Sequence, residues 1–366
     1  MVFKRSTRFR FWHRKPIETP DLDYLVSKLA RSLNEGRKHD VLRYLDLRDW
    51  EQLDKCFENY GPDEVLERLR PLFKGWQEKY LALMQLFEQG GYKTRAVDEF
   101  RQADVQKPFL YLYHDVHAWD ILAALSIADV NMRFGYISTF FLNWGFSPLD
   151  KCMKTPYSIF RHLPEKNVRI GMHAGPLSSW IRFRVFDGDD AAFIKWAEKK
   201  ENIEREILKL RDGVFGRVFD KYTLSEALEG MEQQLQSNLL EMRKRFPNVN
   251  LVNHHGDEVG RVVVRGNRTL PIELSDLLNA SSSQFYNKER LEKLSLQESL
   301  ANIWRKNKTI VRHPEKKNKN QYFSGLAEKI QGKSNVFLIN HPDNFRAGVV
   351  QYDIDFVKHY TKSHRP

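Results

Sequence analysis

Phe109-Leu110-Tyr111-Leu112-Tyr113 runs without a polar break into His114-Asp115-Val116-His117. A short apolar and aromatic run of this kind fits a strand buried within a sheet. Three later segments follow the same plan: Val168-Arg169-Ile170-Gly171-Met172 leads to His173, Val249-Asn250-Leu251-Val252 to His254-His255-Gly256-Asp257, and Val336-Phe337-Leu338-Ile339 to Asn340-His341-Pro342. Strands that end in imidazole and carboxylate describe the mouth of a barrel holding a metal.

Helices alternate with these runs. Ile121 to Phe134 is helical, Gly135 breaks it, and Tyr136 to Leu142 is the next strand. A helix from Leu224 carries one apolar face through Leu228, Met231, Leu235, Leu239, Met242 and Phe246, with Thr223 and Glu226 as a capping box and Pro247 as its end. Leu291 to Trp304 reads as a further helix. Strand and helix in alternation favour a parallel sheet or barrel. Residues 106–366 form this unit, interrupted by a charged helical insertion near 187–215.

Residues 1–105 differ in character and read as a helical N-terminal lobe behind a basic tail. Leu66, Leu69, Phe73, Trp76, Tyr80, Leu83 and Phe87 recur at three- and four-residue steps, the pattern of one amphipathic helix. Pro62-Asp63 starts it and Gly90-Gly91 stops it. Its aromatic stripe is expected to pack against the core.

The 366 residues suffice for a barrel core and an extra lobe. A net charge of +11 implies attraction to polyanions, partly through Lys4 to Lys15 and Arg312 to Lys319. Such runs are usually solvated, so nucleic acid is not the expected partner, while the basic N-terminus suits peripheral contact with an anionic membrane. Two cysteines, Cys56 and Cys152, exclude a disulfide framework and a thiolate zinc site and suit a reducing cytoplasm. No secretory signal and no membrane-spanning run of about 18 apolar residues is evident.

His117, His173, His255 and His341 share a place at strand ends, where the chemistry of such barrels gathers. Nitrogen and oxygen donors without sulfur suit catalytic zinc or another borderline divalent ion. Asp115 and His117 stand two apart, so strand alternation points both to one face, and His114, on the other, reads first as a packed histidine.

Tyr113 to His117, the following helix and Arg133 to Phe141 resemble the His-Asp-Val-Asp branch of the polysaccharide deacetylase superfamily. Val168 to His173 resembles its second motif, Asn248 to Asp257 its third, and Leu338 to Pro342 its last, in order over residues 108–345. The resemblance implies a distorted (β/α) barrel that removes an N- or O-acyl group from a sugar or glycan precursor in the cytoplasm, with a bound divalent metal. It departs at two places: His117 stands where the family has aspartate, and Leu177 where a second histidine is usual. Two outcomes stay open. Either metal binding is lost, or His117, His173 and His255 form the ligand set, with Asp115 as general base and His341 as general acid. His114, His254, Asp257 and Asn340 are then supporting or substrate-binding residues.

Two alternatives follow from other features. Asp115-Val116-His117 with Gly256-Asp257 also resembles the binuclear metallophosphoesterases, but Gly260 replaces their second carboxylate and Arg268 their histidine. A deacetylase-like scaffold that has lost catalysis and binds a polyanion is the other.

Overall fold

The computed structural model describes residues 21–34, 47–100, 108–116, 121–144, 156–175, 179–180, 183–184, 186–189, 192, 224–254, 288–294, 296, 310–312, 335–340 and 342. In chain order the elements are α1 (Leu22–Asn34), α2 (Leu47–Gln89), β1 (Lys93–Thr94), β2 (Phe109–Val116), α3 (Ile121–Phe134), β3 (Ser138–Asn143), β4 (Val168–Ala174), α4 (Leu224–Arg243), β5 (Val252–His254), α5 (Lys288–Lys293), β6 (Ile310–Arg312) and β7 (Val336–Asn340). Short 3-10 turns lie at Val97–Glu99 and Ile159–His162. Among the described residues no helix is long and apolar enough to cross a membrane.

The strands form one parallel sheet in the order β5-β4-β3-β2-β7-β6, with β1 beside the first residues of β2. β2 is central because its backbone pairs on both edges: Leu112 to Val116 with β3, and Leu110 to His114 with β7. Both its faces are covered, which explains the unbroken apolar run.

Alternation sends Leu110, Leu112 and Val116 into the main core with Phe140, Leu142, Met172, Val252, Val336 and Leu338. Helices α1 to α5 all contribute side chains to that core. The opposite face gathers Tyr111, Tyr113, Phe141, Leu251 and Phe337 with Val97 of the first 3-10 turn. Tyr111 stacks on Phe337 at 4.4 Å between ring centres, and Phe100 meets both edge-on.

α3 is apolar almost all round and lies between the sheet and α2, as a helix without a wet face must. Gly135, at φ 66°, ends it in a Schellman turn: Tyr136 N–H donates to Asn131 O at 2.8 Å and Gly135 N–H to Met132 O at 3.2 Å. α2 ends by the same pair of bonds at Gly91 and Tyr92, with Tyr92 against Phe87. The start expected at Pro62 is a kink at Gly61, because a preceding helix from Leu47 runs into it.

The helical segment read as an N-terminal lobe shares its core with the sheet. The α2 stripe from Leu66 to Phe87 is buried as expected, and Lys93–Thr94 extends the sheet itself. Asp129 of α3, 2% exposed, holds the helices together. It accepts from Arg70 Nε and Nη2 at 3.2 and 3.1 Å, from Gln77 Nε2 at 2.6 Å and from Arg133 Nη2 at 3.2 Å. Hydrogen bonding to Asp129 holds the Arg70 guanidinium above its ordinary range. Nearby, Tyr80 donates to Asn131 at 3.0 Å and Asn131 to Ser138 Oγ at 2.8 Å, joining α2, α3 and β3.

Two boundaries near Arg243 also bear on the sequence reading. β5 begins at Val252, three residues later than expected, since Lys244 to Phe246 and Val249 close turns that delay the extended chain. The described part of α5 runs from Lys288 to Lys293, and Leu296 N–H closes back on Leu291 O at 2.8 Å; residues 297–304 of the expected helix lie outside the described residues. Arg243 of α4 accounts for both boundaries. It donates to Val249 O at 3.0 Å and to Leu294 O at 3.2 Å. Thr223 and most of the insertion near 187–215 lie outside the described residues.

α5 is fastened to α4 by Glu232, which accepts from Arg290 Nε at 2.6 Å and pairs with Lys293. Burial alone would raise its carboxyl, but the bonds and charges of Arg290 and Lys293 outweigh that and hold it below the ordinary range.

Replacing Asp129 with alanine leaves Arg70 and Gln77 facing an empty acceptor, and should cost about 3 kcal/mol in urea unfolding. Lys74→Ala, which removes an exposed pair with Glu78, should change stability by less than about 0.5 kcal/mol. Because the Glu232 carboxyl is lowered, its stabilisation is present above the unfolded value near 4.5 and is lost as pH falls through the folded value. The stability gap between wild type and Glu232→Gln should therefore be full at neutral pH and close below about pH 4.

Candidate functional site

Parallel pairing puts the carboxyl ends of β2, β3, β4 and β5 on one edge of the sheet. Asn143, His173 and Asn253 are in register there, and Asp115 lies one row lower on β2, in register with Phe141 and through it with Gly171. All belong to the face that carries Tyr111 and Phe337, so an apolar aromatic layer lies beneath a polar one.

Asp115, His173, Tyr113 and Asn253 converge. Asp115 Oδ1 lies 3.3 Å from His173 Nδ1, with side chains 13% and 3% exposed. Tyr113 donates its hydroxyl hydrogen to the same oxygen. Asn253 Nδ2 donates to Asp115 Oδ1 at 2.9 Å, contacts the Tyr113 hydroxyl, and lies 3.1 Å from His173 Nδ1. Several donors on one oxygen suit a carboxylate in its ionised form.

Phe141 supports this group from below, 4.6 Å from Tyr113 between ring centres. It can do so because residue 171 is glycine. A Cβ there would collide with Cδ1 and Cε1 of Phe141.

His114 is not part of the site. Alternation turns it to the helix-facing side, fully buried, with its ring 4.8 Å from Phe140 and 6.0 Å from Tyr80. His254 closes β5 in register with Ala174, and Asn340 closes β7 in register with His114. β2 stops at Val116, whose carbonyl accepts from Tyr157 at 3.2 Å. His117, His255, Asp257 and His341 lie outside the described residues, as do Leu177, Gly260 and Arg268. Of the expected ligand set, His173 is the described member, and it meets the expected base, Asp115.

Tyr113 and Asn253 are not among the residues the sequence singled out. The signal for Tyr113 was available: it is two residues before Asp115 and so shares its face.

Asp115 and His173 supply one carboxylate oxygen and one imidazole, donors of the class divalent ions take. Among the described residues no third histidine, cysteine or acid joins them. Asp54, Glu58 and His162 do offer three ligand atoms within 4.8 Å of one another, a cluster that could hold a metal ion. Arg161 already bonds Asp54 at 2.9 Å and Glu58 at 2.7 Å, and His162 lies 2.9 Å from Asp54. A cation there would compete with a guanidinium. The cluster reads as the joint between α2 and the second 3-10 turn.

Comparisons with protein-family models, curated proteins and solved structures return no match.

Gly171→Ala should displace Phe141 and destabilise the protein by about 1–3 kcal/mol. The double variant Gly171→Ala with Phe141→Leu should lose less than the sum of the two single changes, read as a coupling in a double-mutant cycle. Additive losses would show that the two positions do not share space.

Proposed function

We propose that the chain is a hydrolase of polysaccharide deacetylase type, which removes an N- or O-acyl group from a sugar or glycan precursor in the cytoplasm. The observation that carries this reading is the part-buried Asp115–His173 contact at the carboxyl edge of a parallel sheet. Hydrolysis of an amide or ester needs one group to take a proton from water and another to return it to the leaving group. Asp115, in contact with an imidazole above an apolar floor, is suited to the first of these tasks.

The proposed architecture is a distorted (β/α) barrel. Going outward from β2, one side runs β3, β4, β5 and the other β7, β6, so the last described strand lies beside the first long one. A doubly wound sheet would continue its numbering outward from the switch point. A barrel brings first and last strands together, keeps its helices on one face and fills the other with side chains. The main core with helices α1 to α5 and the separate aromatic cluster, among the described residues, agree with that division.

A divalent ion, zinc by the chemistry of the donors, held by His173 with His117 and His255, would supply Lewis acidity to the acyl carbonyl. The chain's own part is to bind and orient. Asp115 takes the proton from water as general base, His341 protonates the departing amine or alkoxide, and Phe141 and Tyr113 form the floor of the site.

The charge of +11 favours a second reading, a scaffold that binds a polyanion without turnover. Metal-loaded protein given N- and O-acetylated oligosaccharides should release acetate. Asp115→Ala and His173→Ala should each lower the rate by at least about 100-fold. Undiminished release by His173→Ala would remove the site from the reaction. Salt-sensitive polyanion binding that survives chelation, with no acetate released, would establish the scaffold instead.

A further inference from the structure

Asn253 stands on β5 and Asp115 on β2, with β4 and β3 between them. Three strand spacings of about 4.8 Å would put their Cα atoms roughly 14 Å apart in a flat sheet. An asparagine and an aspartate joined by a hydrogen bond reach across about 10 Å at most. Asn253 Nδ2 is nevertheless 2.9 Å from Asp115 Oδ1, so the sheet curls toward the face that carries Tyr113 and Phe141. One amide thereby ties two distant strands across the hollow of that curve.

We infer that Asn253 and Tyr113 are positioning residues, which hold the Asp115 carboxylate in a single orientation beside His173. Their importance for catalysis rests on the hydrolase reading, whereas the hold on the carboxylate stands apart from it.

The residue types suit the task. An amide nitrogen carries two hydrogens that point in different directions, so Asn253 addresses several neighbours at once. It donates to Asp115, contacts the Tyr113 hydroxyl, and lies 3.1 Å from His173 Nδ1. Tyr113 donates to the same carboxylate oxygen from within β2 itself. The two donors come from different strands, so turning Asp115 about χ1 breaks both bonds together. Tyr113 has a fixed support of its own, because its ring lies 4.6 Å from that of Phe141, which fills the space over Gly171.

Charge explains why both donors are neutral. A lysine or arginine in either place would hold the carboxylate as firmly, but its full positive charge would also make the carboxylate a weaker base. An amide and a phenol orient the group and leave more of its basicity for the water it must deprotonate.

The test reads the orientation directly, in the full chain without metal or substrate. Three-bond couplings from the Asp115 carboxyl carbon to its backbone nitrogen and carbonyl carbon report the χ1 populations, with the carboxyl line assigned by its loss in Asp115→Asn. Wild type should show one rotamer. The double variant Asn253→Leu with Tyr113→Phe keeps both shapes and removes both donors. Its couplings should average over rotamers, with near-ultraviolet circular dichroism unchanged. Averaged couplings in the wild type would overturn the inference, and this outcome needs no variant to fold. A single rotamer retained in the folded double variant would overturn it too. In the metal-loaded protein given the acetylated oligosaccharides, each single variant should lose about 10- to 100-fold in kcat with KM within about twofold. A raised KM at unchanged kcat would overturn the positioning role and make that residue a substrate contact. A carboxylate held in the wild type and released in the double variant, in a protein that frees no acetate, would uphold the tie and remove the hydrolase reading alone.

Discussion

A strand covered on both faces must satisfy two different neighbourhoods with one sequence, and β2 does so residue by residue. Leu110, Leu112 and Val116 go to the helices, while Tyr111, Tyr113 and Asp115 go to the other side. A shift of one position would put a carboxylate among the helices and leucine at the site. The remaining strands take their places from this register: β3 and β7 pair with β2 directly, and β4 carries His173 to within reach of Asp115 across β3.

The helices are fixed on the far side by polar contacts as well as by apolar burial. Asp129, with Arg70, Gln77 and Arg133, sets α2 against α3, and Tyr80-Asn131-Ser138 carries the connection into β3. A satisfied buried network constrains direction more strictly than leucine side chains can. The site on the opposite face thereby inherits a rigid support. Arg243 and Glu232 do the same at the β5 edge, where Arg243 ties the entry to β5 to the end of α5.

Much of this was legible in the sequence where periodicity and a stop signal coincided. The bounds of α3 follow from its apolar run and Gly135, and β2, β4 and β7 begin where their β-branched and aromatic runs begin. β1 and β6 were not legible, because Lys93–Thr94 has no apolar pattern and Ile310–Arg312 runs into a basic stretch. The start of β5 and the turn after Lys293 were not legible because both depend on Arg243, which is distant in sequence from α5. Asp115 and His173, expected together from residue type and strand position, lie in contact. Asn253 escaped because an amide gains its meaning only from the three groups around it.

The pairing of β2 with β7 has a consequence for biosynthesis. Phe109 N–H reaches Asn335 across 226 positions of chain. Until the later segment leaves the ribosome, a long apolar strand carries one open edge. A nascent chain in that state invites intermolecular pairing, and the interval before closure is when a chaperone would have most to protect.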